Sequence, residues 1–259
     1  AYKVHPYQWP TIGKNIDHIA GASLEEVEDF FHRFYAPDNA ILSISGNITD
    51  EKALELVKKW FGDIPPARYK RKALPMEPQQ TEERRLVCEH NKVPADAIYK
   101  VYHMGDRRSD NFYTCDTISD ILSNGQSSRL YINLIKNGKL FSEIDAYITG
   151  DMDPGLFIFS GKLSEGVAIE EAEAAIQNEI DRFIEDPISE RELQKVINKT
   201  EARISYSEIN YQGKSANLAF FDYLGDINLI NSESIRYAEV SLDSIKQTAR
   251  ELFSTQNCS

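Results

Sequence analysis

Five histidines, His5, His18, His32, His90 and His103, are the residues of this chain best suited to hold a metal or to move a proton near neutral pH. A zinc peptidase site on a helix needs two of them one turn apart with a glutamate beside them, so that two imidazoles bind the ion and the carboxylate activates its water. No two histidines here are closer than 13 positions, and none is followed by Glu. Glu89-His90 could close an inverted H-x-x-E-H, but the place of its first histidine holds Leu86. No zinc site is therefore written on the chain by motif. Cys88, Cys115 and Cys258 are odd in number and far apart, which is neither a disulfide framework nor a metal spacing. Gly125-Gln126-Ser127-Ser128-Arg129 lacks the second glycine and the Lys-Ser/Thr pair of a phosphate loop, and no G-x-S-x-G elbow exists. Asp151 and Asp153 resemble a piece of a calcium loop without its far ligand, and with Pro154-Gly155 they read as a turn.

The elements that would position these residues follow from charge, proline and periodicity. The chain has 259 residues with a net charge of −12, which argues against a nucleic-acid partner because gripping phosphates takes a surplus of Lys and Arg. No run reaches the ~18 apolar residues of a membrane helix. The chain opens at Ala1 with no initiator Met and no leader, so a processed or cut piece is expected. Residues 1–63 carry 6 basic and 10 acidic groups, 64–85 carry 6 and 3, and 86–259 carry 17 and 28. The middle piece holds Pro65, Pro66, Pro75 and Pro78 around the run Arg68, Lys70, Arg71, Lys72, and reads as a semi-rigid basic linker.

Before that linker, Ser23 and Glu26 form a capping box ahead of Leu24, Val27, Phe30, Phe31 and Phe34 at helical spacing. Residues 40–45 then read as a strand, and Ala53, Leu54, Val57, Trp60 and Phe61 as a second helix. After it, strands are expected at 86–90 and 97–104, helices at 111–123 and 127–137, and a hairpin of 142–149 with 156–163. Two long helices follow, on the stripes Ile169, Ala172, Ile176, Ile180, Phe183 and Leu193, Val196, Ile197, Ile204. Hairpin strands followed by runs of helices mean α+β with a mainly antiparallel sheet flanked by helices. One internal echo stands out: Ser23 through Tyr35 matches Ser241 through Phe253 at an offset of 218 with the apolar positions in register. Two related domains are expected, the first only partly present in 1–63 and the second in 86–259 without its last strand. The unpaired edge of one could then be repaired by residues 40–45, within a chain or between chains.

The residues His5-Pro6-Tyr7-Gln8-Trp9-Pro10-Thr11-Ile12-Gly13, Phe34-Tyr35-Ala36-Pro37-Asp38-Asn39-Ala40 and Ser45-Gly46-Asn47 resemble the end of the first domain of the insulinase-like (pitrilysin, mitochondrial-processing-peptidase-like) zinc peptidases. Gly125-Gln126-Ser127-Ser128-Arg129-Leu130 resembles the small-residue turn of that family's non-catalytic domain. The resemblance implies a hydrolase of homologous α+β halves around a chamber, with the inverted zinc motif and a third glutamate in the part of the first domain that precedes His5. Some members place an Arg, and seven residues on a Tyr, to hold substrate; Ile135 and Ser142 fall at those places here. Catalytic and metal residues are thus expected to be absent, and Arg129 is the single substrate-binding candidate, with a helix-surface role open beside it. The implied function is a fragment of a zinc metalloendopeptidase, with zinc in the intact parent and none on this chain. The implied partners are a peptide substrate and a homologous peptidase half or a second copy. An inactive subunit that partners a zinc-bearing homologue is the alternative. The resemblance leaves the compartment between periplasm and cytoplasm, leaning to the periplasm.

Overall fold

A computed structural model describes residues 1–67, 72–89 and 92–259. They group into two compact units: Ala1, Gln79–Arg203 and Glu233–Ser259 in one, Tyr2–Pro78 and Ile204–Ser232 in the other. Among the described residues no helix is long and apolar enough to cross a membrane. Of the basic run, Arg68, Lys70 and Arg71 lie outside the described residues, as does His90.

The unit containing Ser259 is built on three antiparallel strands in the order β1 (Ala97–His103), β3 (Leu156–Leu163), β2 (Phe141–Ile148). β2 and β3 make the hairpin expected of the Asp151-to-Gly155 turn, pairing Ile148 with Phe157 and Ile144 with Gly161. Because successive side chains in a strand point to opposite faces, Tyr102, Ile144, Ala146, Phe157, Phe159 and Leu163 gather on one buried face. Helices α4 (Phe112–Ser123) and α5 (Ile169–Glu185) pack on β2 and β1 respectively, and both touch α9 (Leu242–Leu252). The apolar stripe of α5 is buried as its spacing predicts, with Ala172, Ile176, Ile180 and Phe183 fully out of water. Phe253, just past α9, sets its ring 5.1 Å from Tyr102, 5.1 Å from Phe157 and 5.6 Å from Phe159. The architecture is α+β with an antiparallel sheet flanked by helices.

Three local expectations are corrected or refined. The helix foreseen from 127 begins at Arg129 and runs as a π-helix over Tyr131–Asn137, closed by Gly138 N–H donating to the Asn133 carbonyl at 2.9 Å. Residues 86–89 form no strand. Arg84 N–H donates to the Cys258 carbonyl at 3.0 Å, but Leu86 and Val87 beyond it are 87 % and 84 % exposed and have no face to bury. The free edge of β1 is instead lined by the last two residues, as Val101 and Ser259 exchange both backbone hydrogen bonds at 2.8 Å.

The unit containing Tyr2 carries α1 (Ile16–Ala20), α2 (Leu24–Phe34), α3 (Asp50–Phe61) and α7 (Tyr211–Tyr223), and receives the last residues of α6 (Glu190–Ser207). Residues 40–45 are not a strand: Ala40 N–H closes the preceding 3-10 turn on the Pro37 carbonyl, and no ladder partner bonds to 40–45 among the described residues. Extended backbone becomes a strand only with a ladder, and these residues have none. The echo at offset 218 nevertheless holds at atomic detail. α2 and α9 are both 11 residues long, both open on a capping box, Ser23 with Glu26 and Ser241 with Ser244. Both are followed by a 3-10 turn, Pro37–Asn39 and Thr255–Asn257. Asn39 Nδ2 donates to the Phe34 carbonyl at 2.8 Å, and Asn257 Nδ2 to the Leu252 carbonyl at 2.9 Å.

Gly161 is where the sheet tolerates no side chain. A Cβ there would stand 2.5 and 2.8 Å from the Phe141 ring, which is itself buried and cannot retreat. Gly161→Ala should lower the stability of this unit by about 1–3 kcal/mol, the range for overpacking a close-packed core, measured as a reduced urea midpoint.

Candidate functional site

Arg129 starts from a turn of small residues that the chain can bend sharply: Gly125 has φ +95°, a left-handed conformation that glycine adopts without strain. The turn lies along one face of α6, where Glu192, Lys195 and Lys199 follow at i, i+3 and i+7. Lys199 donates to the Asn124 side chain, Lys195 to Ser127 Oγ at 3.1 Å, and Arg129 meets Glu192 with Nε to Oε1 at 2.8 Å and Nη2 to Oε2 at 3.2 Å. The guanidinium also lies 5.3 Å from the centre of the Phe183 ring. Glu192 is at the same time the acidic member of a box at the start of α6, accepting from Ser189 N–H at 3.0 Å and from Ser189 Oγ at 2.8 Å. Partial burial pushes its carboxyl up, but Arg129 and the Ser189 hydrogen bonds outweigh burial and hold it down at about 2. Arg129 thus clamps the turn to α6 by a bidentate, charge-assisted pair.

The histidines stay apart. His5 is buried between the Tyr2 and Tyr7 rings and accepts from Tyr7 N–H at 3.2 Å through Nδ1. His18 and His32 are exposed on α1 and α2, and His103 Nε2 lies 3.3 Å from the Ala1 carbonyl. Among the described residues no three His, Cys, Asp or Glu side chains come together as a metal site, so the described residues do not fit a zinc ion. Cys88 is exposed, whereas Cys115 is buried in α4 and burial pushes its thiol up to about 12.

A charged cluster around Asp116 has no local signal in the sequence. Tyr237, on α8 (Glu233–Ala238), donates its hydroxyl to Asp116 Oδ2 at 2.5 Å, and Arg203 stands 3.9 Å from the same oxygen. Arg107 pairs with Glu233 and donates to the Tyr113 hydroxyl at 3.1 Å. Burial pushes the carboxyl of Glu233 up against the pull of Arg107 and Arg203. Arg203 and Glu233 are the residues at which the chain leaves and re-enters this unit, so the cluster pins both crossing points. Its ion pairs join residues more than 80 positions apart, Arg107 with Glu233 and Arg203 with Asp116, which no spacing rule can detect.

Residues 21–200 match the family described as the peptidase M16 inactive domain. The chain is 27 % identical over 262 aligned positions to the zinc protease PqqE of Helicobacter pylori, covering 98 % of this chain and 57 % of that protein. The crystal structure of a protease from Helicobacter pylori superposes with a TM-score of 0.91 at 22 % identity, over 99 % of this chain and 62 % of the other. The periplasmic protease PqqL of Escherichia coli superposes with a TM-score of 0.72 at 16 % identity, over 95 % of this chain and 29 % of that one. The chain therefore spans a little over half the length of the curated relative.

The clamp has a pH signature. A carboxyl held below its unfolded value contributes stability that is complete above about 4.5 and is lost as pH falls toward about 2. Glu192→Gln should flatten the fall in urea midpoint between pH 5 and pH 2.5 by ~1 kcal/mol, discounted for the pair's partial exposure to solvent; an unchanged slope would contradict the assignment.

Proposed function

The chain belongs to the peptidase M16 inactive-domain family, and on that premise we propose that it is the non-catalytic half of a zinc-dependent peptidase, a wall of the chamber in which a peptide is held. Zinc and its activating glutamate would then reside on polypeptide outside residues 1–259. In this reading residues 1–63 are the end of a first domain, 64–85 a linker, and 86–259 a second domain from which 204–232 make an excursion. The substrate is a peptide, and the compartment is the periplasm, as for the Escherichia coli protease with the same fold.

The observation that supports this reading most directly is the unequal fate of the two copies of the repeat. In the second copy Ile245 and Ala249 are fully buried, and Leu252 and Phe253 nearly so. Their counterparts Val27, Phe31 and Tyr35 are 56 %, 53 % and 67 % exposed, and α2 has no buried residue at all. A sequence that keeps an aromatic stripe, a capping box and an asparagine cap is adapted to cover a sheet. The strand that pairs at Cys258–Ser259 in the second copy corresponds to residues 40–41 in the first. The first copy is thus built to finish a homologous half that carries its own sheet. Arg129 belongs to this proposal as a residue that shapes the chamber wall through its clamp on α6.

The test is cleavage of a fluorescence-quenched peptide, with bound metal measured in parallel. The purified chain alone should hold no stoichiometric zinc and hydrolyse nothing. Co-expressed with the portion of the Helicobacter pylori protein that it does not match, it should co-purify and show EDTA-sensitive hydrolysis. EDTA-sensitive hydrolysis by the chain alone would overturn the reading, and co-purification without activity would favour a scaffold subunit.

A further inference from the structure

The core face of β1 holds a lysine. Lys100 shares that face with Tyr102, lies across from Phe159 in the ladder, and is 9 % exposed. Among the described residues its ammonium has no hydrogen bond and no ion pair. The stem is buried and the ammonium holds no ion pair, which leaves the head group available to a ligand that enters the cleft beside it. The four-carbon stem can cross the apolar face and deliver the ammonium to open space.

That space is a cleft of about 500 Å³ between β1, α5 and the residues after α9, within the ~300–1,000 Å³ usual for small-ligand sites. One stripe of α5, Glu170, Glu173, Ala174 and Gln177, forms its wall. Glu173 and Glu83 are engaged by Arg85 at the mouth, the second of these at 3.5 Å. Tyr102 uses its hydroxyl on the Cys258 thiol. Glu83, Glu173, Gln177 and Tyr102 thus each have a partner, whereas Lys100 and the exposed Glu170 have neither a hydrogen bond nor an ion pair among the described residues.

We propose that this cleft binds a carboxylate monoanion, an acidic peptide side chain or a peptide α-carboxylate, through Lys100. One carboxylate would pair with the Lys100 ammonium, which its buried stem carries into the cleft, by a charge-assisted hydrogen bond. Glu83, Glu170 and Glu173 line the same cleft and repel a dianion such as phosphate about twice as strongly as a monoanion, and Gln177 offers an amide to a peptide group.

The experiment follows the Lys100 Cε resonance by NMR in the full chain, assigned with Lys100→Arg, at constant ionic strength. The probes are N-acetyl-glutamate amide, N-acetyl-leucine, the uncharged N-acetyl-glutamine amide, and inorganic phosphate. A saturable shift in the millimolar range with the first or the second supports the site and tells side-chain from terminal carboxylate. Lys100→Met should weaken that binding at least about tenfold, while Lys100→Arg keeps it. No saturable shift with either carboxylate overturns the proposal, as does an equal response to the uncharged amide or to phosphate. If Lys100→Met does not fold, the wild-type titration and Lys100→Arg decide it alone.

Discussion

The packing of one ring on three holds the sheet-bearing unit together. Phe253 sits against Tyr102, Phe157 and Phe159, which come from β1 and β3, and so joins α9 to the sheet across its edge strand and its central strand. Each such ring contact contributes ~0.5–1.5 kcal/mol beyond the area it buries. Everything else in the unit is arranged so that Phe253 arrives there. The Ser241 box fixes where α9 starts, Asn257 caps its last carbonyls, and the 3-10 turn delivers Cys258 and Ser259 to the edge of β1.

The same devices occur 218 residues earlier without a sheet beneath them. α2 folds with its box satisfied and its Asn39 cap in place, although its apolar face is open. Local hydrogen bonding suffices to set the ends of a helix, while burial of its face is a separate matter that depends on what lies opposite. The contrast between Ala249, fully buried, and Phe31, 53 % exposed, at equivalent places shows how little the helix itself decides.

Much of the fold was legible because its signals are local. The capping boxes, the stripes of α5 and α6 and the Asp151-to-Gly155 turn are patterns within a few tens of residues, and the repeat, although its copies lie 218 positions apart, is legible because each copy is a short local pattern. Two strand expectations failed where the pattern was present but the partner was not: residues 40–45 are apolar with Ser43 and Ser45 interleaved, and residues 86–89 are a short apolar run without a face to bury. The absence of a zinc motif and the α+β class could be read from spacing and element order. Arg129 could be singled out, yet its pairing with Glu192 across 63 positions could not. Nor could the cluster around Asp116, or the unpaired state of Lys100, since alternation in β1 marks only the face on which a side chain lies.

The pairing of Val101 with Ser259 has a kinetic side. Hydrogen bonds that close loops of this length must await the entropy cost of bringing distant segments together, and non-local pairing slows folding. During synthesis β1 emerges well before Ser259, so its edge stays open until α9 and the residues after it have been made. Over that interval the exposed row of β1 backbone groups is a place where another strand could bind out of turn.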